Sequence, residues 1–149
     1  MRRQAGFTLV ELIVTLMVIG ILAAVAVPRF LGRVDFDARA FHDATLAALH
    51  YAQKTAVAQR RTVCVSFTSN SVRLNISQDW GKDDCQLPLN GPNGESPYML
   101  TAAAQAAFTS VPGSFHFLAS GQASADQTLS VLTRPAPIRV VAATGYVYY

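Results

Sequence analysis

Glu11 is the only charged side chain between Arg3 and Arg29, and it stands where a charge is expensive. From Leu12 to Val27 the chain carries no charge at all. A carboxylate at the head of such a run needs an aqueous interface or a cationic partner, because an ion leaving water loses several kcal/mol of hydration. The chemistry open to Glu11 is therefore charge pairing. Cys64 and Cys85 are the two cysteines, too few for a zinc site and enough for one disulfide in an oxidising compartment. Two buried free thiols are the other reading. A bridge would close a loop of about twenty residues and stabilise the fold by about 3 kcal/mol.

Other reactive side chains are scattered. His42 and His50 stand eight apart on a helical pattern, whereas a helical metal pair wants a spacing of about four, and His116 lies far along the chain. Asp79, Asp83 and Asp84 around Trp80 have the oxygens for calcium but lack the interval and glycine of an EF-hand, and read as a solvated loop. No nucleophile with a base, glycine-rich phosphate loop or pair of carboxylates on a common face is recognisable. Neither a metal, a cofactor nor an enzymatic activity is expected. The formal charge is +3, but beyond Gly6 ten basic residues face nine acidic ones, which argues against nucleic acid as a partner.

What must position these residues is an anchor and a head. The 149 residues are 51% hydrophobic, an ordinary globular level, with the surplus concentrated at the amino end. Three readings compete there. A secretory signal would use Ala24-Val25-Ala26 as its cut site but leaves Glu11 unexplained inside the apolar core. A plain transmembrane anchor fits the length, about 30 Å of helix from Phe7, and also ignores Glu11. An assembly helix gives Glu11 a purpose. Beyond Pro28 the pattern turns amphipathic: Val34, Ala38, Phe41, Thr45, Ala48, Ala52 and Ala56 mark one face, with Leu49 broadening it, as far as about Gln59. Asp35 and Arg39 are spaced to pair on the opposite side. Arg60 and Arg61 add favourable charge at the carboxy-terminal dipole.

The rest of the chain alternates with period two. Thr62–Phe67 and Ser71–Ile76 read as a hairpin through Thr68-Ser69-Asn70, with Val63, Val65 and Phe67 on one face and Cys64 and Ser66 on the other. Ser114–Leu118, Thr128–Leu132, Ile138–Val141 and Gly145–Tyr149 are further strands. Between the two groups, Ser77–Gly113 is rich in Pro, Gly, Asn and Asp, with a short helical turn expected over Met99–Phe108. The fold class expected is α+β: a long amino-terminal helix packed on one antiparallel sheet of five or six strands.

Gly6-Phe7-Thr8-Leu9-Val10-Glu11-Leu12, after a leader bearing Arg2 and Arg3, resembles the type III signal of the type IV pilin and type II secretion pseudopilin superfamily. That resemblance implies a cut by the prepilin peptidase between Gly6 and Phe7, N-methylation of Phe7, and retention of the apolar run. The division it implies is a cleaved leader over 1–6, a transmembrane and assembly helix over 7–28, an amphipathic helix over 29–60 and a β-rich pilin head over 61–149. In the family's filament the Glu11 carboxylate meets the Phe7 amine of a neighbouring subunit. Pro28, which lacks an N–H and disfavours helical geometry at Val27, is then a kink or a local melting; the plain alternative is a helix end with Arg29 as interfacial anchor.

A second resemblance rests on the head. Ala56–Val65, Phe115-His116-Phe117 with Gly121, Ile138–Val141 and Thr144-Gly145-Tyr146-Val147 look like minor subunits typified by the H-type pseudopilin, and like minor pilins of mannose-sensitive-haemagglutinin-type pili. It implies a scarce subunit that initiates or caps a filament, held by the bacterial inner membrane with a periplasmic head, then part of a periplasmic or extracellular filament. Its partners would be other pilins or pseudopilins, the prepilin peptidase and the inner membrane. One branch of these minor pilins binds DNA through an arginine-bearing terminal motif. Here Tyr146, Val147, Tyr148 and Tyr149 follow Gly145 without an arginine, which weakens attraction to phosphates, although tyrosines stack on bases. A pilus-borne receptor or adhesin is thus the alternative to a structural subunit.

Overall fold

The computed structural model describes residues 7–31 and 33–149, with side chains from 7 to 24 and from 34 onward. The chain divides into two units with the boundary between Arg33 and Val34. In the first, α1 (Leu9–Leu31) opens at Thr8, whose Oγ1 accepts the Glu11 N–H at 3.3 Å while its carbonyl accepts the Leu12 N–H at 3.2 Å. Thr8 is the N-cap and Glu11 the third helical residue, the spacing of a capping box. Every side chain described on α1 is exposed. A helix that is apolar on all sides needs lipid or other helices around it.

Among the described residues no helix is long and apolar enough to cross a membrane. Side chains are described on α1 from Leu9 to Ala24, about 24 Å of helix, against a hydrocarbon core of about 30 Å. The last four positions of the span expected over 7–28 lie beyond them, as does the Pro28 side chain; the leader over 1–6, Gly6 included, lies outside the described residues. The α1 backbone is helical through Val27 and Pro28 as far as Leu31, so the local melting expected there does not occur.

The second unit is built on α2 (Arg33–Gln59). Its predicted face is the buried one: Ala38, Phe41, Thr45, Ala48, Leu49, Ala52 and Ala56 are almost without exposure, and His42 is buried among them. Alanines there let the sheet approach closely, while Phe41 and Leu49 supply apolar bulk. Asp35 and Arg39 do not pair: both are exposed, and no ion pair joins them within 4.0 Å. The helix closes in a Schellman motif, with Arg61 N–H donating to the Ala56 carbonyl at 3.1 Å and Arg60 N–H to Val57 at 3.3 Å. Arg60 takes the left-handed conformation, φ 53°, that such a cap requires. The last helical turn has no basic residue; Arg61 turns to the Ser77 and Gln78 carbonyls, so the two arginines serve the chain reversal rather than the helix dipole.

Two antiparallel sheets follow, where one was expected. β1 (Val63–Phe67) and β2 (Ser71–Ile76) form the predicted hairpin in the register Val63↔Ile76 to Phe67↔Val72, closed by Thr68 N–H to the Ser71 carbonyl at 3.0 Å. β3 (Leu87–Pro88) and β4 (Met99–Thr101) share the outer edge of β2 end to end, and β5 (Phe115–Phe117) pairs with β1. Met99–Thr101 is thus a strand and not a helical turn, because the unpaired edge of β2 gives its backbone partners. The second sheet is β6 (Gln127–Leu129), β7 (Ile138–Val140) and β8 (Val147–Tyr148) in that order. Single bridges at Phe117↔Ala123 and Phe108↔Val131 join its connections to the first sheet.

The core lies where α2 meets the inner faces of both sheets. Val63, Val65, Val72, Leu74, Phe117, Leu129 and Ile138 are fully or almost fully buried, and Phe41, Phe67, Phe108, Phe115 and Phe117 form a chain of ring contacts 4.9 to 6.1 Å apart. The architecture is α+β, a long helix with antiparallel sheets.

Candidate functional site

Three places in the fold bear on function: the start of α1, the disulfide-pinned loop, and the end of the chain. At the first, Phe7 and Glu11 are both exposed, and Glu11 is one turn into the helix. Its backbone N–H is satisfied by Thr8 Oγ1, but no hydrogen bond from the Thr8 N–H returns to its carboxylate, so only half of the capping box is made among the described residues. Sequence reasoning treated Glu11 purely as a charge in an apolar run. The Thr8-to-Glu11 interval was the signal that it also belongs to a cap. What the arrangement can do chemically is limited and clear. It presents a carboxylate, in no ion pair among the described residues, at the end of an apolar cylinder, four residues from Phe7.

The predicted disulfide is formed. Cys64 and Cys85 are bonded, with Cα atoms 5.9 Å apart and a sequence separation of 21. The bridge fixes the loop after β2 to the outward side of β1, and three further ties surround it: the Arg61 guanidinium on the Ser77 and Gln78 carbonyls, the Thr62 hydroxyl on Asp83 at 2.9 Å, and Asn75 on the Cys85 carbonyl at 3.2 Å. The three aspartates are separately engaged or placed. Asp79 accepts from the Lys82 ammonium at 2.8 Å, and that hydrogen bond, with the charge behind it, holds the Asp79 carboxyl below the usual range and Lys82 above its own. Both are fully exposed, so the pair shapes the loop more than it stabilises the fold. Among the described residues no group of three His, Cys, Asp or Glu side chains lies close enough to hold a metal ion.

Because the bridge constrains about twenty residues of the unfolded chain, replacing both cysteines, Cys64→Ser with Cys85→Ser, is expected to cost about 3 kcal/mol. Denaturant midpoints of the full chain measure it. An unchanged midpoint would show that the three side-chain ties alone hold the loop.

His42 is packed into the core: it is fully buried, its Nδ1 lies 3.0 Å from Asp43, and its ring meets the edge of Tyr149 at 5.3 Å. His50 and His116 lie apart from it on α2 and β5. Near the carboxy end, Tyr146 and Tyr148 stack 5.5 Å apart with an interplanar angle of 19°, and Tyr148 is the register partner of Arg139. Between α2 and the strand regions, burial pushes the Tyr98 phenol up, with Glu95 and Tyr51 adding to it.

Residues 1–27 match the family model described as the prokaryotic N-terminal methylation motif. This amino-terminal segment is that of the type IV pilin and pseudopilin superfamily. It is 44% identical over 61 residues to the type IV narrow pilus major component PilA5 of Thermus thermophilus, covering 41% of this chain and 53% of that one. It is 45% identical over 56 residues to the type IV major pilin protein PilA of Myxococcus xanthus, covering 36% and 24%. Over 34 residues it is 50% identical to the type II secretion system core protein G of Pseudomonas aeruginosa, covering 23% and 24%. The chain thus spans about half the length, or less, of the curated relatives it matches. No solved structure matches it.

Proposed function

We propose that the protein is a structural subunit of a type IV pilus or a type II secretion pseudopilus, stored in the bacterial inner membrane by its apolar segment over 7–28 and then packed by that segment into a helical filament. The observation that carries this is α1 itself. Its described side chains are exposed and apolar all round, apart from Thr8 at the cap, Thr15 and the single carboxylate of Glu11. In such an assembly the Glu11 carboxylate pairs with the Phe7 amine of a neighbouring subunit, an amine that exists only once the bond after Gly6 has been cut by the prepilin peptidase. Methylation leaves the Phe7 nitrogen cationic. The kink at Pro28 lets the anchor bend where it leaves the membrane.

The head pattern supports a finer reading, a minor subunit that initiates or caps the filament; the relatives named above are called major pilins or a core protein, so that reading rests on the head alone. The stacked pair Tyr146 and Tyr148, beside Arg139, is what a pilus-borne receptor would use.

Mass spectrometry of the chain from cells with the peptidase is expected to give a mature terminus at methylated Phe7, and from cells without it an intact leader. A chain retaining residues 1–6 in competent cells would overturn the proposal.

A further inference from the structure

The second unit carries an apolar knob and an apolar hole that do not fit each other on one chain. Phe36 is 73% exposed, the only phenylalanine from 34 onward left in solvent. One helical turn further along α2 is a surface cavity of about 190 Å³ lined by four alanines (Ala40, Ala44, Ala102 and Ala103), Phe41, Leu100 and Thr101, with Asp37 as the one charged residue on its wall. An apolar cavity of about 150 Å³ accepts a benzene ring, so this one has room for a phenyl group. Phe36 does not line it. On a helix of 3.6 residues per turn, the centre of Asp37, Ala40, Phe41 and Ala44 lies about a quarter-turn round from Phe36, whose ring stands in solvent and not in the cavity.

Three observations select the occupant. The cavity wall is almost wholly apolar, so Phe36, which has no polar group, enters it at no hydrogen-bonding cost, while Trp80 or the terminal tyrosines would bring an N–H or O–H needing an acceptor. Arg39 is three residues on from Phe36, on the same side of the helix, and has no carboxylate within 4.0 Å among the described residues, because Asp35 does not reach it. Asp43, also on that side, is held by His42. A chain delivering Phe36 into the cavity of another brings its Arg39 toward that chain's Asp37.

We propose that Phe36 and Arg39 of one copy dock into the Asp37, Ala40, Ala44 and Ala103 cavity of a second copy. The contact is heterologous: a docked pair leaves the cavity of the first copy and the Phe36 of the second unused. A contact of that kind that does not close on itself repeats as an open helix. The proposal rests on the filament-subunit reading and adds to it a register. The apolar surface of α1 attracts any similar helix, whereas a ring in a cavity with a matched charge pair fixes how far one subunit is displaced along the next.

The test uses the full chain in detergent, with Phe36 replaced by p-benzoylphenylalanine and isotope-labelled chains mixed with unlabelled ones. After irradiation and digestion, crosslinks between labelled and unlabelled chains are expected from position 36 to peptides containing 37–44 or 100–103. Asp37→Arg should lower their yield roughly fivefold, since it sets two like charges face to face, and adding Arg39→Asp in the same chain should restore it. Crosslinks elsewhere on the chain, labelling of detergent alone, or a yield indifferent to Asp37→Arg would overturn the contact. A chain that is processed at Phe7 and enters filaments while crosslinking elsewhere, or to a different pilin, removes this contact and leaves the filament reading standing. A chain that crosslinks as expected but keeps its leader does the reverse.

Discussion

Glu11→Gln is expected to leave membrane insertion intact and to lower incorporation into filaments by about 100-fold or more, because removing one partner of a buried charge pair costs about 3–5 kcal/mol. The glutamine is the decisive choice. Thr8 accepts the backbone N–H of residue 11 whatever its side chain, and Glu and Gln are both suited to the third position of a capping box. Glu11→Gln therefore keeps the local helix start and deletes only the charge, while Glu11→Ala deletes both. The measurement is the ratio of subunit in sheared filaments to subunit in the membrane fraction. Equal loss in the two variants assigns Glu11 to pairing with the Phe7 amine. Normal incorporation of Glu11→Gln beside a defective Glu11→Ala would make Glu11 a cap residue and sink the pairing. Insertion gives the internal control, because an uncharged residue 11 makes the segment more apolar.

Helix α2 was legible in the sequence because its buried face is set by one period over seven turns, and no tertiary contact needed to be known to count it. The β1–β2 hairpin was legible for the same reason, alternation against a three-residue connection. The bridge between Cys64 and Cys85 followed from there being two cysteines in a chain with an export signature. What failed were features that exist only through a partner. Leu87–Pro88 and Met99–Thr101 are strands of two and three residues whose own sequences say little; they extend because β2 leaves an edge for them. The separation into two sheets is likewise set by where Ala123 and Val131 bridge to Phe117 and Phe108, across many residues of irregular chain. Asp35 and Arg39 had the spacing of a pair and did not form one, which is usual for exposed charges whose gain is comparable with the entropy of holding two long side chains. At the amino end the type of segment was legible from the residues, and the capping role of Glu11 was visible but unread.

Gly145→Ala is expected to be the most destabilising small substitution in the second unit, by about 4 kcal/mol. Gly145 sits at φ +65°, its N–H donates to the Val141 carbonyl at 2.7 Å, and a Cβ there would land on the Gly121 carbonyl oxygen and 2.7 Å from Gln53 Nε2. Gln53 on α2 is the reason the two turns meet: its side-chain amide donates to Gly121 at 3.1 Å and to Thr144 at 3.2 Å, tying the β5–β6 and β7–β8 connections to the helix. An alanine would have to part these turns and strand the amide. Gly94→Ala separates backbone strain from this crowding, since Gly94 is also left-handed, φ +85°, but has nothing within 4 Å of an added Cβ. It should cost only about 1 kcal/mol. Thermal unfolding of the full chain, followed by near-ultraviolet circular dichroism, should then show a fall of about 15 °C for Gly145→Ala and a few degrees for Gly94→Ala. Equal small shifts would mean that the turns yield and that β8, with Tyr146 and Tyr148 beside it, is not positioned by Gln53. A large difference makes the glycine of Thr144-Gly145-Tyr146-Val147 a packing requirement. The tyrosines that follow it are then held on a rigid edge, which any contact they make with a second molecule would need.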